Sequence, residues 1–186
     1  MNTPSHFLMT AAGRKVLALR GRDLPRWAVW LGAIAPDLPL LVLSVSYYYY
    51  YTLIIGWSRR SAFRHLFSEH YYFDPLWICA HNFLHAPFIL WVVLGVSHLF
   101  KWRWVFWFCA ACLLHAGVDI LTHADDGPLL FFPFDWQYRF ASPVSYWDPQ
   151  YHGRVFSRFE LGLDIGLSLF LFYFGLLKKG PKRELQ

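Results

Sequence analysis

The chain has 186 residues, of which 56% are hydrophobic, 21% aromatic and only 16% charged. Such a composition cannot clothe a domain of this size in polar side chains, so it excludes a water-soluble protein and predicts an all-α, multi-pass membrane bundle that forms one domain over residues 1–186. The formal net charge of +5 comes from basic residues at the ends of apolar segments, where they report membrane orientation, so nucleic-acid binding is not expected.

The start of the chain lacks the basic residues followed by an apolar core that a secretory signal needs, and insertion falls to the internal segments. Residues 4–20 carry Arg14 and Lys15 in mid-segment and residues 27–36 are too short to cross, so the two predict a partly inserted helix pair. Residues 38–57 are long enough to cross, yet Tyr47 to Tyr51 would stand at the bilayer centre, and tyrosine prefers the interface. Both a crossing and a non-crossing segment stay open there, and the distribution of Lys and Arg suits either arrangement equally.

Residues 58–77 carry Arg59, Arg60, Arg64, His65, Glu69, His70 and Asp74 and predict a surface segment. Two long apolar runs follow, 78–100 and 102–124, joined at Lys101-Trp102-Arg103. At ~1.5 Å per residue each is long enough to cross a ~30 Å hydrocarbon core, so they predict a tight helical hairpin. Residues 125–158 form a Pro- and aromatic-rich loop suited to the headgroup layer and able to cap a site. A third clear span runs over 159–177 and stops at Lys178, Lys179 and Gly180-Pro181, which brings the expected number of spans to three or four. Cys79, Cys109 and Cys112 lie inside apolar runs and are expected to be small buried side chains. The Cys109–Cys112 spacing resembles a redox pair but sits in mid-helix.

Ionisable groups inside apolar spans are costly and so are functional candidates. His81 and His85 lie four residues apart on one helix face; His115, Asp119 and His123 do so on the next. In an antiparallel hairpin His81, His85, His115 and Asp119 reach matching depths and are expected to meet. A lone histidine in such a place is more often a satisfied polar group, whereas this matched set suits a divalent transition metal. Asp37, between Pro36 and Pro39, is presented where a helix must end, and His6 opens the first helix.

In their order, Thr-Pro-Ser-His6, Gly-Ala-Ile-Ala-Pro-Asp37, the histidine pair opening a span, His115 and Asp119 closing one, and then Thr122, Pro133 and Phe134 resemble the YdjM-like family of membrane-bound metal-dependent hydrolases. More distantly, the pattern is similar to zinc-dependent phospholipase C and related single-strand nucleases. The pair His81-Asn82-Phe83-Leu84-His85 departs from the commoner family pattern, lacking its basic residue and serine, and its spacing is shorter by one residue. The resemblance covers roughly residues 3–147. It implies that His6, Asp37, His81 or His85, His115 and Asp119 are metal ligands gathered at one membrane face, which favours a segment 38–57 that does not cross.

The expected function is hydrolysis of a phosphoester or other lipid-like ester at the membrane interface, by water that one or two divalent metals activate. Zinc is the expected metal, with manganese or iron as alternatives. Asp37 and Asp119 are the candidate catalytic carboxylates, and the resemblance implies residence in the bacterial cytoplasmic (inner) membrane. His65, His70 and His123 are reserve ligands, Glu160 and Asp164 are candidate partners of a ligand imidazole, and His98 and His152 look ordinary. Three rival readings remain: a haem carrier using His85 and His115, a divalent-metal transporter, and a non-catalytic partner protein.

Overall fold

Proline positions divide the apolar chain into helices. Pro4 sits in the first turn of α1 (Thr3–Leu19), Pro25 caps α2 (Arg26–Ile34), and Pro36 separates α2 from α3 (Asp37–Tyr49). These are positions where a missing N–H costs no helical hydrogen bond. The helix of α3 continues through a π turn, Tyr50–Ile54. The computed structural model describes residues 1–177, and those residues are helical apart from loops and one isolated bridge between Leu129 and Arg139.

The surface segment expected at 58–77 folds as α4 (Arg59–His65), a second π turn (Leu66–His70) and the single turn α5 (Tyr71–Phe73). The Ser58 hydroxyl accepts from the Ser61 N–H and so caps α4. Asp74 caps α6 (Pro75–Asn82) by accepting from the Leu76 N–H at 2.9 Å.

The run 78–100, expected as one continuous helix, is broken. α6 ends at Asn82 and α7 (Pro87–Leu99) starts after a gap, because Pro87 cannot donate and holds Ala86 in an extended conformation (φ −69°, ψ 117°). Asn82 closes the break from within: its Nδ2 donates to the Ile78 carbonyl at 2.9 Å, and its Oδ1 accepts from the Leu129 N–H at 2.7 Å.

α8 (Arg103–Thr122) is central, with α2 and α7 packed along it, while α1 lies against α2 and α9 (Gly153–Leu177). Small residues line these seams. Cys112 and Ala116 meet Leu90 of α7, and a Cβ added to Gly32 of α2 would fall 2.8 Å from Ala111 Cβ. Such residues let helices approach closely.

Among the described residues α8 qualifies by itself, by length and apolarity, as a candidate membrane span. Two pairs qualify only when joined: α2 with α3 and its π turn, bent by 44°, and α6 with α7, bent by 45°. The segment 159–177, expected as a clear span, lies in α9, which is not among these candidates but exposes a stripe of Leu161, Ile165, Leu169 and Phe172; its expected stop at Lys178, Lys179 and Gly180-Pro181 lies outside the described residues. The loop of residues 123–152 folds over the end of α8, seating Leu129 and Phe132 against Ile78 and Ala86.

Candidate metal centre

Both helix breaks and the C-terminal half of α8 come together at one place. Asp37 is the first residue after the Pro36 break, His85 lies in the break between α6 and α7, and His115 and Asp119 project from successive turns of α8. One ligand atom from each of these four residues lies within 4.8 Å of all the others.

Hydrogen bonds on the far side of each ring determine which atoms face the cluster. His85 Nδ1 lies 2.9 Å from the His81 carbonyl and His115 Nδ1 lies 2.9 Å from the Ala33 carbonyl. A carbonyl only accepts, so both Nδ1 atoms carry the proton and, in the neutral rings, both Nε2 atoms present lone pairs. Those two Nε2 atoms are 3.2 Å apart. His115 Nε2 is also 3.1 Å from Asp119 Oδ2 and 3.3 Å from Asp37 Oδ1, and His85 Nε2 is 3.5 Å from each of these oxygens.

With both rings neutral four electron-pair donors converge, and a shared proton or a metal ion between them bridges the two imidazoles. Protonating both rings would instead set two N–H groups head to head at 3.2 Å. A cation at the centre relieves the repulsion. Tetrahedral ligands ~2.0–2.1 Å from a metal are separated by about 3.3–3.4 Å, and five of the six donor separations, at 3.1–3.5 Å, bracket that value, with the sixth within 4.8 Å. The chemistry and the spacing of the donors both fit a metal ion.

The surrounding residues hold the carboxylates. Thr3 Oγ1 donates to Asp37 Oδ2. His6 Nε2 lies 2.9 Å from Asp119 Oδ1, and its ring stacks on His115 with centroids 3.7 Å apart. The same Asp119 oxygen is 2.8 Å from the Met1 nitrogen and 3.5 Å from His123 Nε2. α1 is itself anchored to α9: Asn2 donates to Glu160 through its backbone N–H (2.8 Å) and its side chain (2.9 Å), and the Ser5 hydroxyl donates to Asp164 at 2.8 Å. Glu160 and Asp164 therefore place α1 and His6, and neither is bonded to a ligand imidazole. His85, His115 and Asp119 are buried, whereas the Asp37 side chain is 27% exposed, so the cluster is most open on the Asp37 side.

The sequence candidates divide accordingly. Asp37, His85, His115 and Asp119 form the cluster, and His6 and His123 contact Asp119 from outside it. His81 is buried next to His85, but its Nε2 faces the Tyr71 hydroxyl at 3.1 Å. That hydroxyl donates to the Asp126 carbonyl at 2.6 Å, and burial raises its pKa, so it stays protonated. His65 and His70 belong to a separate group, where His70 bridges Asp74 and the Tyr51 hydroxyl, at 2.9 Å from each. Sequence reasoning missed Thr3 and the Ala33 carbonyl. The latter had a signal, because a helix ended by Pro36 leaves its last carbonyls without helical partners.

A histidine that orients a ligating carboxylate typically contributes 10–100-fold to metal affinity. His6→Ala is therefore expected to weaken binding by about that factor, read by competition with a chromophoric chelator, and His6→Gln, which can still donate to Asp119, should recover part of the loss. Equal affinities for wild type and His6→Ala would show that Asp119 does not depend on this bond. Comparison of the chain with family profiles, with curated proteins and with solved structures gives no match.

Proposed function

We propose that the protein is a multi-pass membrane hydrolase of the bacterial cytoplasmic membrane that uses a divalent metal at Asp37, His85, His115 and Asp119 to cleave a phosphoester or another lipid-like ester. The observation that carries this reading is the convergence of four electron-pair donors within 4.8 Å of one another. The resemblance in motif order supports the hydrolase class, and the lipid placement rests on the apolar helices and their exposed stripes.

A divalent metal held there would supply Lewis acidity and lower the pKa of water toward ~7. The remaining roles follow from the chain. Asp37 is the more exposed of the two carboxylates, and it takes the proton from the attacking water as the new bond to phosphorus or carbonyl carbon forms and the ester bond breaks. Thr3 holds the other Asp37 oxygen in place. His85 and His115 have their Nδ1 protons committed to backbone carbonyls and so remain oriented ligands instead of proton donors. Asp119 turns its second oxygen to His6, which donates to it, and lies 3.5 Å from His123 Nε2 with the same oxygen.

Elemental analysis of the purified chain should find at least one equivalent of zinc, manganese or iron. Hydrolysis of a phosphodiester or phospholipid should disappear on chelation and return when the metal is restored. A metal-free preparation with the same activity as the loaded one would overturn the proposal.

Two helices broken at an ion-binding cluster are also the arrangement by which transporters hold ions between half-helices. That second reading predicts metal uptake into proteoliposomes and no hydrolysis. A haem between His85 and His115 is disfavoured, since 3.2 Å between the two Nε2 atoms leaves no room for a porphyrin plane.

A further inference from the structure

Away from the metal centre, α4 forms an open groove of about 660 Å³ against the end of α3. Arg59, Arg60 and Arg64 line it together with Tyr48, Phe63 and Phe67. The three arginines are exposed. Among the described residues the one bridge from a Lys or Arg to a carboxylate joins Arg14 to Asp23 at 3.6 Å, so no carboxylate neutralises the trio. Three unpaired guanidinium groups on a seven-residue helix repel one another unless an anion lies between them.

The position of the groove identifies the anion. Leu41, Val42, Val45 and Tyr49 of α3 are exposed, as are Leu53 and Ile54 at its end, so an apolar surface leads directly to the arginines. Positive-φ Gly56 turns the chain there, and α4 starts three residues later. Basic side chains just beyond an apolar helix lie at the headgroup layer of a bilayer, where each attracts anionic lipid. Guanidinium suits the task because its planar fork bonds two phosphate oxygens at once.

We infer that the α4 groove is a binding site for an anionic phospholipid, with the phosphate between Arg59, Arg60 and Arg64 and an acyl chain along Tyr48, Phe63 and Phe67. The inference shares with the proposed function only the placement in a membrane. No residue of the groove belongs to the metal cluster.

The test is native mass spectrometry of the full chain released from detergent containing equal amounts of phosphatidylglycerol and phosphatidylcholine. Wild type should retain phosphatidylglycerol preferentially. Arg59→Gln/Arg60→Gln/Arg64→Gln should lower that retention by about a hundredfold, at about fivefold per arginine. Arg20→Gln/Arg22→Gln/Lys101→Gln removes the same charge elsewhere and should change it little, and Asp119→Ala should not change it at all. Equal retention of the two lipids by wild type would overturn the inference. So would an equal loss in the charge-matched control, or displacement of the lipid by excess inorganic phosphate, which would mark a free-phosphate site.

Discussion

Asp119→Ala is expected to reduce metal affinity by at least about a hundredfold, the equivalent of losing one partner of a buried charged pair at about 3–5 kcal/mol. Asp119 is the side chain on which the arrangement converges. Its Oδ2 is one of the four clustered donors, and its Oδ1 accepts from His6 and the Met1 nitrogen and lies 3.5 Å from His123 Nε2. Removing it takes away one of the two negative charges that hold the cation. Asp119→Asn separates charge from shape: the amide fills the same space but brings no charge and turns an N–H toward one side of the site. It should therefore lose metal almost as completely as alanine does. Helix content should change little in either variant, because the α7–α8 seam of Leu90, Cys112 and Ala116 does not involve Asp119. Full metal content in both variants, measured on protein of unchanged circular dichroism, would remove Asp119 from the ligand set.

Gly32→Ala should have the second-largest effect, although Gly32 bears no functional group. A Cβ at this position would press on the Phe108 backbone carbonyl and approach Ala111 Cβ to 2.8 Å, so α2 must move away from α8. The helix that moves carries the Ala33 carbonyl that orients His115, and it ends just before Asp37. Overpacking a tight contact typically costs ~1–3 kcal/mol. The variant should therefore unfold at a lower temperature in detergent and also bind metal less tightly. Gly13→Ala is the matched control, since nothing lies within 4 Å of its added Cβ, and it should be neutral or stabilising by the ~1 kcal/mol that helix propensity favours alanine over glycine. If Gly32→Ala retained wild-type stability and affinity, the close approach of α2 to α8 would not be what positions Asp37.

Composition and periodicity were enough to determine that the chain is helical and apolar, where α1, α2 and α8 lie, and that His85, His115 and Asp119 meet, whereas α9 begins at Gly153, inside the expected loop 125–158. Those features depend on local propensity and on the 3.6-residue repeat, which neighbouring residues carry by themselves. The tertiary structure decided how Asp37 joins them. The family resemblance implied that Asp37 and Asp119 lie on one membrane face, which favoured residues 38–57 not crossing, while the residues themselves left the crossing open. In the structure Asp37 sits in a break partway along a bent helix pair, beside another break at His85, and α3 leaves the site at 44° to α2. Where a proline interrupts a helix is a local property, but whether two such breaks face each other depends on packing between segments distant in sequence. The same reason separates His85 from His81. Both lie on one face of an ideal helix, and the break before Pro87 turns the His85 Nε2 into the cluster while the His81 Nε2 faces Tyr71.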